Sequence, residues 1–117
     1  MAATESKKSY ISADDFLSGV TGEELDFDVP GLGMVKIRSL TTREVGKINR
    51  EADGDPGKMM AMAVRDGLVE PQLSGDVLAV LNDAKPGPIA DISRRIIELS
   101  GMSEEAEALE DLAGGGS

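Results

Sequence analysis

Asp53, Gly54 and Asp55 are the residues of this chain whose types and spacing come nearest to chemistry. Two carboxylates around a glycine resemble the opening of a calcium loop, where side-chain oxygens and a bidentate Glu at the twelfth position surround the ion. Counted from Asp53, that twelfth position is Val64, and Gly57 replaces a further ligand. The pair therefore reads as a helix break followed by a helix cap. Gly57-Lys58 suggests the end of a phosphate loop, but Met59 stands where Ser or Thr is required and the first glycine of that pattern falls on Ala52. Gly31-Leu32-Gly33 has Lys36 where a dinucleotide fingerprint needs its third glycine. The adjacent acids Asp14-Asp15 and Glu104-Glu105 would point in different directions on a helix and read as solvated charge.

The chain has neither His nor Cys, which removes the commonest general bases and the thiol nucleophile. The expectation is a non-enzymatic protein with no catalytic, cofactor-binding or metal-binding residues. A small carboxylate-dependent enzyme built on Asp53 and Asp55 is the minor alternative. Met59, Met60 and Met62 are more suggestive. They cannot all share one helix face, so at least one should lie near the surface, where an adaptable thioether suits an extended apolar partner. Gap-filling in a core poor in aromatics is the competing reading. Leu109 and Leu112, on an acidic C-terminal stretch, pose the same choice between docking on the core and awaiting a partner. These five residues are the candidate partner-binding set.

The elements that must position them are constrained by composition. With 117 residues, two Phe, one Tyr and no Trp, the chain is one domain whose core must be built from Leu, Ile, Val, Met and Ala. Such a core is thin, which favours an oligomer or a bound partner. The net charge of −10 argues against a nucleic-acid surface. Residues 36–65 carry seven basic and four acidic side chains, whereas the segments on either side are strongly acidic. That asymmetry permits head-to-tail contact between copies, although solvated helix faces account for it equally simply. The absence of Cys fits a reducing compartment. The N-terminus lacks the apolar run of a signal peptide, and no stretch approaches the roughly 18 apolar residues of a membrane span.

The punctuation predicts a mainly α fold, an N-terminal β-hairpin followed by a bundle of about four to five short helices. Residues 1–24 read as a flexible arm with a short helix that starts at Ser12, contains Phe16 and Leu17, and ends at Gly19 and Gly22. Residues 25–102 read as the hairpin and helical core. Leu25, Phe27 and Val29 alternate with Asp26 and Asp28, then Pro30-Gly31-Leu32-Gly33 turns the chain, and Val35 and Ile37 alternate with Lys36 and Arg38. The hairpin must pack on the helices or join strands of other copies. Thr41 to Glu44 fits a capping box opening a helix to about Ala52. Asp55-Pro56 opens the next, stopped by Gly67. Val69 to Leu73 reads as a connector, Ser74 as the cap of a helix through Ala84, and Pro88 as the start of an amphipathic helix carrying Ile89, Ile92, Ile96 and Leu99 and ending at Gly101. Residues 103–117 read as an acidic helix and a Gly-rich tail.

This order carries a resemblance. A hairpin Val29-Pro-Gly-Leu-Gly-Met-Val-Lys-Ile-Arg-Ser-Leu-Thr41 precedes a helix beginning Thr-Arg-Glu. Gly67-Leu-Val-Glu-Pro-Gln-Leu-Ser74 and a late helix ending Glu98-Leu-Ser-Gly101 follow. Over residues 25–102 the chain resembles the tail assembly chaperones of tailed bacteriophages, in particular the small acidic XkdN-like type. The resemblance implies a protein acting in the host bacterial cytoplasm and absent from the mature virion. Such a protein would coat an aggregation-prone tape measure protein, help recruit tail tube protein and self-associate, with no nucleic-acid or membrane partner and no cofactor. The alternative is a small structural tail or neck protein retained in the virion.

Overall fold

The computed structural model describes residues 9–102. The order of elements is α1 (Ala13–Val20), β1 (Glu24–Val29), β2 (Gly33–Arg38), α2 (Thr42–Ala52), α3 (Pro56–Gly67), β3 (Leu68–Glu70), α4 (Val77–Asn82) and α5 (Pro86–Leu99). The hairpin forms as its alternation requires. Leu25 pairs with Ile37 and Phe27 with Val35 on the inward face, while Glu24 pairs with Arg38 and Asp26 with Lys36 on the outward one. At the turn the Leu32 N–H donates to the Val29 carbonyl at 3.0 Å, and Gly31 has φ of 75°, as the third residue of a type II turn after proline needs.

A third strand corrects the sequence reading. The stretch taken as a connector contributes β3, which pairs antiparallel with β2 through Lys36–Glu70 and Ile37–Leu68, with a bulge between them. β2 is therefore central, in the order β1-β2-β3. The chain supplies its own third strand where the hairpin alone would be marginal.

The sheet lays Val29, Val35 and Ile37 against Ala61 and Val64 of α3, Leu81 of α4, and Ile92 and Ile96 of α5. Ile48 and Ala52 of α2 close a second cluster around Met62. Gly67 does not act as a stop; it is the buried last residue of α3. A Cβ placed there would lie 2.7–3.0 Å from three side-chain atoms of Ile96. Absence of a side chain is what lets α3 and α5 approach so closely.

Two helix starts move. α4 is capped by Asp76, whose carboxylate accepts from the Ala79 N–H at 3.2 Å, and not by Ser74, and the helix is only six residues long. α5 begins at Pro86, two residues before Pro88. Both prolines sit in the first turn, where the backbone N–H groups have no intrahelical partner to lose. Its far end is a complete Schellman closure. The Gly101 N–H donates to Glu98 O (2.9 Å), the Met102 N–H to Ile97 O (3.1 Å), and the Met102 side chain packs on Ile97.

Candidate functional site

The residues nearest to metal chemistry serve the backbone. Asp55 caps α3, its Oδ1 accepting from the N–H groups of Gly57 (3.0 Å) and Lys58 (3.3 Å). Asp53 is the left-handed C-cap of α2. Among the described residues no three His, Cys, Asp or Glu side chains converge as a metal ion would require.

The three methionines separate because 100° per residue sends them in different directions. Met62 is fully buried between α2 and α3, so the partner-binding reading is corrected for this residue: it is core. Met60 is half-buried and packs toward Ile97. Met59 is half-buried and lines an open apolar cleft. Leu109 and Leu112 lie outside the described residues.

The cleft is built by three helices. α2 provides Val45, Ile48 and Asn49, α3 provides Met59 and Ala63, and the end of α5 provides Ile97 and Met102, with Leu40 entering from the β2–α2 link. Its enclosed volume of about 70 Å³ is roughly two waters' worth, room for one inserted apolar side chain. Only Asn49 gives it a polar side chain.

Sequence reasoning identified the capping box but not the two clamps that hold these walls. The first is Arg38–Glu44, a bidentate pair at 3.0 and 2.6 Å that ties the end of β2 to the first turn of α2. Glu44 Oε1 also accepts from the Thr41 N–H, while Thr41 Oγ1 accepts from the Glu44 N–H, so cap and ion pair share one carboxylate. The guanidinium hydrogen bonds hold the Glu44 carboxyl below the ordinary glutamate range, against the opposing effect of burial. The second clamp is Ser100. Its Oγ accepts from the Leu40 N–H at 2.8 Å and donates to Ile96 O at 2.7 Å, joining the β2–α2 link to α5. A serine at a helix end gives no local signal that its partner lies sixty positions away.

The surroundings are charged unevenly. Arg43, Lys47 and Arg50 recur at helical spacing on the exposed side of α2, and none forms an ion pair among the described residues. On α5, by contrast, Arg94 contacts both Asp91 and Glu98, and Arg95 contacts Glu98. Among the described residues no helix is long and apolar enough to cross a membrane. Comparison of the chain with protein-family models, curated proteins and solved structures finds no match.

Proposed function

We propose that this chain is a tail assembly chaperone of a tailed bacteriophage, which holds apolar helical segments of a tape measure protein and helps bring tail tube subunits to it. The observation that carries the reading is the Met59-lined cleft between α2, α3 and α5. It is apolar, open, and bounded by a side chain that adapts to irregular partners. A groove of this kind receives one face of an amphipathic helix through anchors at helical spacing. The order of hairpin, capped helix and late amphipathic helix supports the family assignment, and the charge of −10 suits a protein that must stay soluble beside an aggregation-prone client.

The test is coexpression with the tape measure protein encoded by the same genome. The expected outcome is soluble tape measure protein that copurifies with this chain, and less of it with Asn49→Glu, which puts a charge at the exposed edge of the cleft. Insoluble tape measure protein and no copurification would overturn the proposal. Mass spectrometry of purified virions separates the structural alternative: a chaperone is absent, whereas an abundant signal identifies a retained tail or neck component.

A further inference from the structure

The largest unexplained apolar surface is on α1. Ala13, Phe16, Leu17 and Val20 fall at positions i, i+3, i+4 and i+7 and so form one stripe. Phe16, Leu17 and Val20 are 54–65% exposed, Ile11 and Tyr10 just before them are more exposed still, and the helix has no buried residue. Ser12 caps it at 3.0 Å and Thr21 Oγ1 donates to Leu17 O at its end. A helix of two turns is marginal in water on its own, so a well-capped, amphipathic one is built to pack against something.

Its reach is short. Glu23 is held to Ser39 by two hydrogen bonds, N–H to Oγ and O from N–H, each 2.9 Å. Only Thr21 and Gly22 separate α1 from the sheet, a span of at most about 7 Å. The helix stands off its own body, where it can enter a site on a neighbour.

We infer that α1 of one copy docks its Phe16–Leu17–Val20 stripe into the α2–α3–α5 cleft of a second copy, giving a head-to-tail assembly. Charge selects this occupant. The polar side of α1 carries Asp14 and Asp15, while the wall helix α2 carries Arg43, Lys47 and Arg50 without ion-pair partners among the described residues. Of these, Arg50 folds back along the helix, with Nη1 3.6 Å from where a Gly46 Cβ would be, beside the cleft residue Val45. Stripe and cleft are different surfaces, so the contact is heterologous and repeats from copy to copy, closing as a ring or growing as a spiral. The inference does not depend on the tape measure reading, although both use one cleft, so a client helix and a neighbour's α1 compete for it.

The test uses the full chain with two sets of exposed substitutions, chosen because none touches the core. Phe16→Ser/Leu17→Ser disables the stripe; Asn49→Glu/Arg50→Glu makes the cleft edge repel Asp14 and Asp15. In sedimentation velocity the wild type should gain mass above its 12.3 kDa monomer as concentration rises, and each double variant should remain monomeric. Mixing the two variants leaves one intact stripe and one intact cleft, so they should form a one-to-one dimer that grows no further. Adding Asp14→Lys/Asp15→Lys to the cleft variant should restore its self-association. A wild type that stays monomeric overturns the inference. So does a cleft variant that assembles unchanged, which would indicate α1 pairing with α1, or a mixture that fails to dimerise.

Discussion

Glu44 concentrates several constraints in one side chain, accepting from both Arg38 nitrogens and from the Thr41 backbone. Replacing it with Ala removes the ion pair and half of the capping box, at a cost of about 1–2 kcal/mol in a urea titration near neutral pH. Gln keeps an acceptor for Thr41 and should lose about half as much. The pH dependence follows from a folded-state pKa held below the unfolded one. The stabilisation is fully present above the unfolded glutamate value of about 4.3 and disappears as pH falls through the lower folded value. The gap between wild type and Glu44→Gln should therefore close in strong acid; a gap that persists there would show that packing, not charge, sets it. Two helical glycines give the complementary contrast. At Gly46 a Cβ meets nothing closer than 3.6 Å, so Gly46→Ala should stabilise by about 0.5–1 kcal/mol through helix propensity. At Gly67 the same change drives a methyl into Ile96 and should destabilise by about 1–3 kcal/mol. Opposite signs in paired denaturant melts would establish that Gly67 is required by packing.

At the scale of elements, α1 is separable from the fold. Because it buries nothing, Phe16→Ser/Leu17→Ser should change the stability of dilute monomer by less than about 0.5 kcal/mol, measured as the urea midpoint. A larger loss would place α1 against its own body. What the sequence revealed about the elements follows from how local each signal is. The hairpin was legible because alternation, a Pro-Gly turn and opposed acidic and basic faces all sit within fifteen residues, and the capping box because it spans four. β3 was not: Leu68 and Val69 followed by Glu70-Pro71 look like any connector, and they become a strand only because β2 offers an open edge. Helix starts slipped where two capping residues, or two prolines, stood two positions apart. The cleft was half legible. Spacing required the three methionines to diverge, but which one lines a cavity depends on α2 and α5, whose placement rests on Arg38–Glu44 and on the bond from Leu40 to Ser100.

For the whole molecule, net charge and local charge oppose each other. Two copies carrying −10 each repel as bodies, while Asp14 and Asp15 of one would face the cationic α2 of the next. Salt discriminates between these effects through range. At about 0.01 M the Debye length is about 30 Å, larger than the radius of a domain of ~100 residues, so the full net charge acts. At about 0.15 M it falls to about 8 Å, which removes most body-to-body repulsion yet leaves charges in contact only partly screened. At about 1 M, near 3 Å, the contact charges are screened as well and the apolar stripe alone remains. The average mass in sedimentation should therefore rise from low to physiological sodium chloride and then decline to a plateau above the monomer. Phe16→Ser/Leu17→Ser should show no such maximum, because the stripe that holds the charges in register is gone. A steady fall from the lowest salt would mean that contact charges outweigh the net charge at every range, and a steady rise that α1 meets its neighbour through apolar contact alone.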